Sequence, residues 1–180
     1  EILRICEAAV RLGIRKFKIT GGEPLVRKGC VDFMRCLKET DGVETVTLTT
    51  NGMFVKEHID EFKHMGLDGI NISLDTLDRK QFHRLTGTDG VDAVVDAVAA
   101  CVSAGLKTKI NSVLLSETKS QILRLAHLAQ EMPVDVRFIE VMPIGFGRFE
   151  KGPTEDAVLQ ILQAEYPDLA YRRDVRGNGP

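Results

Sequence analysis

Residues able to do chemistry in this chain gather in five short stretches. In the first, Lys18-Ile19-Thr20-Gly21-Gly22-Glu23-Pro24, a lysine, two glycines and a carboxylate stand close together. Glycines let a ligand approach the main chain, and Pro24 fixes its own φ. Such a loop offers backbone amides and carbonyls beside one acceptor, Glu23, suited to an ammonium group. Taken alone it is equally an ordinary connection between a strand and a helix. The second and third stretches are Thr49-Thr50-Asn51-Gly52 and Ser73-Leu74-Asp75, which read on their own as a turn and as the cap of a following helix. The fourth holds Lys109 and Asn111 in an otherwise apolar run, and the fifth ends on Glu140 before a proline and a glycine. Alternation puts Lys109 and Asn111 on one face of a strand. If that face is an interior, the lysine requires an anionic partner; if it is a wet edge, it does not. Glu140 is either a buried site acid or a structural hydrogen-bonding group.

The elements that position these residues alternate between two periods. Strand-like runs fall at 16–20, 44–49, 69–74, 107–114 and 134–141. Helix-like runs fall between them at 31–39, 56–64, 79–85, 91–104 and 118–131. Parallel neighbours need a crossover of about a dozen residues, so this alternation predicts a parallel sheet covered by helices. All five polar stretches then lie at or near the carboxyl ends of the strands, where α/β barrels and open sheets build their sites. Gly13, Gly66 and Gly105 are expected to close helices. A last helix is expected near 153–166, capped by Thr154 and packed outside the sheet. Residues 1–150 form the core in this reading, and 151–180 begin a C-terminal extension of helix plus loop.

Composition narrows the function. With 43% hydrophobic and 28% charged residues, 180 residues suit one soluble domain, and the expected location is the cytoplasm. A net charge of −2 and no Trp argue against a nucleic-acid surface, and no apolar run has the roughly 20 residues that span a bilayer. Cys6, Cys30, Cys36 and Cys101 show no ligand spacing and are expected to be small buried apolar groups, so no metal ligand is assigned. His58, His64, His83 and His127 are expected on helix surfaces or in packing, and Asp75 and Asp78 as caps. The chain opens inside a helical pattern without a cap and closes on a loop at 176–180, so a piece of a longer protein is expected.

In order, ITGGEPLVRKG, TLTTNG, INISLDTLDRKQFHRLTG, KTKINSVLL and VRFIEVMPIG resemble the radical S-adenosylmethionine superfamily, and within it the GTP 3′,8-cyclase family of molybdenum cofactor biosynthesis. The resemblance runs from Arg15 to about Gly147. It implies an α/β fold, a partial (β/α) TIM-type barrel with outer helices. It also implies a lyase that uses an S-adenosylmethionine-derived 5′-deoxyadenosyl radical to convert GTP to (8S)-3′,8-cyclo-7,8-dihydroguanosine 5′-triphosphate. Gly21, Gly22, Glu23 and Pro24 match the motif that binds the methionine end of S-adenosylmethionine. Ser73, Asn111 and Met142 match further contacts to that cofactor, Met142 near its adenine. Lys18, Thr49 and Lys109 match contacts to GTP. At position 18 an arginine would also be expected; lysine keeps the charge but loses the bidentate fork.

The family also carries two [4Fe–4S] clusters, on a CxxxCxxC motif expected before Glu1 and on three cysteines expected after Pro180. The four cysteines here match neither, so this chain alone is expected to be inactive, and no catalytic residue is named. A homodimer and hand-off to a cyclic pyranopterin monophosphate synthase complete what the resemblance implies. Two other readings share parts of the pattern. One is a different radical S-adenosylmethionine enzyme with other residues at 18, 49 and 109. The other is a non-catalytic α/β module that binds a nucleotide or a partner, with a rim that is merely polar.

Overall fold

Runs of β-branched residues separated by amphipathic ones build alternating strands and helices over residues 1–171, which the computed structural model describes. The first half comprises α1 (Ile2–Arg11), β1 (Lys16–Ile19), α2 (Cys30–Lys38), β2 (Thr45–Thr50), α3 (Ile59–His64) and β3 (Gly69–Ser73). The second comprises α4 (Arg79–Thr86), α5 (Val91–Ser103), β4 (Thr108–Leu114), α6 (Ile122–Glu131), β5 (Asp135–Glu140) and α7 (Glu155–Glu165). Two expected helices divide. Val55–His58 and Lys119–Gln121 form 3-10 turns ahead of α3 and α6. Neither of those helices has a side-chain cap, and a tighter first turn satisfies some of the amides that a cap would take. Glycines follow α1, α3 and α5 as expected, each with positive φ.

The five strands run parallel in the order β1-β2-β3-β4-β5, each beside its neighbour in sequence. A doubly wound sheet would reverse direction at some strand; unbroken order is the pattern of a barrel wall. The two faces of that wall differ. Val46, Leu48, Ile70, Ile72 and Ile110 point to one side, where Met34, Leu37, Phe62, Val94, Val98 and Leu125 from the helices bury them in a single core. The other side carries lysines, threonines, asparagines and an arginine. Parallel sheets normally read as continuous apolar runs because both faces are covered. The TKINSVL strand is buried only at alternate positions, so one face is left for something other than helices.

Helix α7 forms as expected, with the Thr154 hydroxyl accepting from the Ala157 N–H. It packs Val158, Ile161 and Leu162 onto Leu114, Ile122 and Phe138, beyond the main core. The loop expected at 176–180 lies outside the described residues. Among the described residues no helix is long and apolar enough to cross a membrane.

Candidate functional site

Register determines which polar residues meet. Lys18 lies beside Thr47, and Thr47 beside Gly69. One step toward the carboxyl ends, Thr49, Asn71, Lys109 and Asp135 form a row across four strands. Ser73, Asn111 and Arg137 form the next row. Side chains in register on parallel strands share a face, so all of these stand on the polar side. A cavity of about 540 Å³ is lined by Lys18, Thr47, Asn71, Lys109, Asp135 and Arg137, and toward the amino ends of the strands by Asp68, Lys107 and Pro133; Thr49, Ser73 and Asn111 stand on the same face but do not line it.

The polar face is cross-braced. Asn71, buried, donates from Nδ2 to Thr49 Oγ1 at 3.2 Å. Lys109 Nζ donates to Asp135 Oδ2 at 2.6 Å, supplying the anionic partner that an interior lysine requires. Lys18, on the outermost strand, is exposed. Asn111 Oδ1 is buried with no hydrogen-bond partner. An orphaned acceptor of this kind costs about 1–3 kcal/mol unless something donates to it.

Above these rows the loops after β1 and β2 interlock. The Glu23 carboxylate accepts from the Leu25 N–H at 3.0 Å, the Thr50 hydroxyl at 2.8 Å and the Asn51 N–H at 2.6 Å. Its bonds are therefore to the protein rather than to open space. Gly21 and Gly22 adopt no positive φ, and a Cβ built on either would meet nothing within 4 Å. Nothing in the chain itself demands glycine there, and both are exposed. Their missing side chains keep the backbone open to a ligand. Pro24 is instead buried and starts a 3-10 turn, Pro24–Val26. A second cavity, of about 320 Å³, adjoins the rim between Asn51, Ser73, Asp75 and the α4 residues Phe82 and Leu85.

The structure thus brings Lys18, Thr49, Ser73, Lys109 and Asn111 onto one face, with Gly21 and Gly22 at its rim. It does not bring Met142 into either cavity; that side chain is 68% exposed after β5. Asn71, Asp135 and Arg137 were missed in the sequence. Period-two alternation within β5 puts Asp135 and Arg137 on one face, but only pairing with β4 identifies which face that is. Several expectations need correction. Asp78 caps α4 through the Gln81 N–H, but Asp75 caps nothing: it accepts from the Val113 N–H at 2.7 Å, across to β4. Burial pushes the Asp75 carboxyl above its usual range, against the lowering effect of that N–H. Glu140 is exposed and accepts from the Glu155 N–H at 2.6 Å, so it anchors α7. Of the cysteines only Cys30 and Cys101 are buried; Cys6 is half-buried, and Cys36 is exposed because α2 turns that position outward. Burial raises the Cys101 thiol to about 12. His64, His83 and His127 sit on helices and His58 ends the 3-10 turn ahead of α3; their partners are the Asp60 carbonyl, Asp89, Glu131 and Glu61 respectively.

An ordered wall of parallel strands, helices on one face and an open glycine loop at its rim describe a recognisable class. Residues 1–129 match the model of the Radical SAM superfamily, and the chain belongs to that family. Among curated relatives, a GTP 3′,8-cyclase of Clostridium perfringens is 41% identical over 181 aligned positions, covering 100% of this chain and 56% of the relative. A GTP 3′,8-cyclase of Rhodopirellula baltica is 38% identical, covering 94% and 49% respectively. Molybdenum cofactor biosynthesis protein 1 of Drosophila melanogaster is 35% identical, covering 94% and 30%. The chain therefore spans about half the length of the bacterial relatives it matches. In fold it is similar to Streptococcus suis SuiB bound to S-adenosylmethionine, with a TM-score of 0.73 at 24% identity over 92% of this chain and 39% of that one. A domain of a pyruvate-formate lyase-activating enzyme from Bacteroides vulgatus gives 0.66 at 17% identity, over 83% and 93%.

The residues present fit S-adenosylmethionine: an open glycine backbone and an unpartnered buried acceptor at Asn111 stand on the same side of the sheet. They do not fit an iron–sulfur cluster. Among the described residues no group of three Cys, His, Asp or Glu side chains could hold a metal, and the Cys6, Cys30 and Cys101 thiols are raised rather than poised as thiolates.

Proposed function

We propose that this chain is the cofactor- and substrate-binding wall of a GTP 3′,8-cyclase. The observation that carries the reading is the polar sheet face, with Lys18, Lys109 and Arg137 in the cavity and the glycine loop, Ser73 and Asn111 toward the rim. A triphosphate requires several cations held on a rigid support, and three separate strands supply them here. The relatives named GTP 3′,8-cyclase give the same direction.

S-adenosylmethionine would be held by the exposed main chain of Gly21 and Gly22, with Ser73 and the Asn111 amide on its other side and Met142 brought in from the β5 loop. When bound, and given one electron from outside the described residues, it would supply hydrogen-atom abstraction from the ribose of the nucleotide. The chain's own part is to bind and orient. Lys18 and Lys109 grip the phosphates, Thr49 supports them with its hydroxyl, and the sheet floor excludes water from the ribose. Residues 1–150 act as this binding core in the proposal, and 151–180 as the start of an extension.

Lys18→Ala tests the substrate. The side chain is exposed, so the melting temperature should stay at the wild-type value, while loss of a charge-assisted contact should weaken GTP binding about tenfold or more in titration calorimetry. Unchanged GTP affinity would sink the substrate assignment. Binding of S-adenosylmethionine without GTP would favour a different radical S-adenosylmethionine enzyme.

A further inference from the structure

We infer that Thr50, a buried residue on the face turned away from the cavity, positions the cofactor loop through Glu23. The inference rests on the reading of the Gly21–Gly22 loop as the S-adenosylmethionine site. Thr50 is 2% exposed and shares its face with Val46 and Leu48, packed toward the helices. It cannot reach a ligand on the polar face. Its hydroxyl nevertheless stands at the junction of two loops: it donates to Glu23 Oε1 at 2.8 Å and accepts from the Gly52 N–H at 3.1 Å.

Glu23 completes the connection. Oε1 also accepts from the Leu25 N–H, within its own loop, and Oε2 accepts from the Asn51 N–H. Asn51 in turn accepts from the Met53 N–H through its side chain at 3.0 Å. One carboxylate therefore ties the loop after β1 to the turn after β2, and the hydroxyl of Thr50 ties that carboxylate to the turn's glycine. Charge-assisted bonds to a carboxylate are roughly twice as strong as neutral ones. Gly21 and Gly22 have no side chains, and a Cβ on either would meet nothing within 4 Å, so no side-chain packing holds the loop there. Glu23, the next residue, is what fixes them. Its role is positioning, and the ammonium of a bound amino acid moiety is left to the main chain of the loop.

The test compares Thr50→Val, Thr50→Ser and Glu23→Gln with the wild-type chain, by amide hydrogen exchange and by titration with S-adenosylmethionine. Thr50→Val keeps the shape and removes the hydroxyl. It should raise exchange over residues 21–25 and at Asn51 about tenfold and weaken S-adenosylmethionine by a similar factor. Thr50→Ser keeps the hydroxyl and should restore both. Glu23→Gln, a half-buried loop change that leaves the core intact, turns one acceptor oxygen into a donor and should raise exchange at Asn51 as Thr50→Val does. Wild-type exchange over 21–25 in Thr50→Val, or at Asn51 in Glu23→Gln, overturns the latch whatever the ligand does. A wild-type chain that binds no S-adenosylmethionine, with the exchange pattern as expected, overturns the cofactor reading and keeps the latch.

Discussion

Lys109 keeps only 18% of its side chain exposed, and its partner Asp135 keeps 43%. A lysine so far out of water needs a counter-ion, and one that is to hold phosphate must also be able to give that counter-ion up. Asp135→Asn removes a negative charge beside the anion site. It should tighten binding of GTP and of inorganic triphosphate several-fold in titrations at low salt, with the gain shrinking as salt is raised. Weaker binding would mean that Asp135 holds Lys109 in place rather than competing for it. Alternation placed Lys109 and Asn111 on one face but left open whether that face is an interior, where the lysine needs an anion, or a wet edge. The lysine's partner was not legible, because the pairing of β4 with β5 brings it from 26 residues away.

Asp75 gives a pH dependence. Its carboxyl is raised by burial, so the folded state binds the proton more tightly than the unfolded state. Its contribution is then most favourable at low pH and is lost as pH rises through the window from the usual carboxylate value to the raised one. Asp75→Asn keeps an oxygen to accept from Val113 and carries no charge. Urea unfolding should find the variant gaining stability relative to wild type as pH rises above the usual carboxylate value through the raised one. A constant difference across that range would remove the role given to burial.

At the scale of elements, the turn after β2 rests on one glycine. Gly52 has φ of +87°, and a Cβ there would lie 3.0 Å from Ile72 Cγ2 and 3.1 Å from Val94 Cγ1. The left-handed backbone alone costs a non-glycine residue about 1–2 kcal/mol, and crowding adds to it. Gly52→Ala should lower unfolding free energy by about 2 kcal/mol or more in urea denaturation. It should also loosen the Asn51 amide that Glu23 accepts from. The glycines of the first loop are the opposite case. Neither Gly21 nor Gly22 has a positive φ, and the space beside both is open, in keeping with glycines that let a ligand approach the main chain. Strands were legible to within a residue at each end, since β-branched runs and glycine stops mark them. The 3-10 turns ahead of α3 and α6 were not, because they depend on caps that those helices lack.

For the whole molecule, the two faces of the sheet divide stability from binding. Phe62 on α3 is fully buried in the core, and Phe62→Ala should cost about 3–5 kcal/mol by denaturant unfolding. Substitutions on the polar face should cost far less and act on ligands instead. The order of the five polar strand ends carried the family in sequence. The cross-strand rows that build a cavity came only with the register. Residues such as Asn71 read as unremarkable strand polars until Thr49 and Lys109 stood on either side.

The central claim is that one sheet face binds two ligands in separate places, phosphates among the lysines and S-adenosylmethionine at the rim. Paired titrations test it directly, with GTP and S-adenosylmethionine each titrated into wild type, a Lys18→Ala/Lys109→Met variant and Asn111→Leu. The double variant should lose GTP affinity by about tenfold or more and keep that for S-adenosylmethionine, and Asn111→Leu should weaken S-adenosylmethionine more than GTP. Equal loss of both ligands in both variants, or no loss in either, would contradict the account.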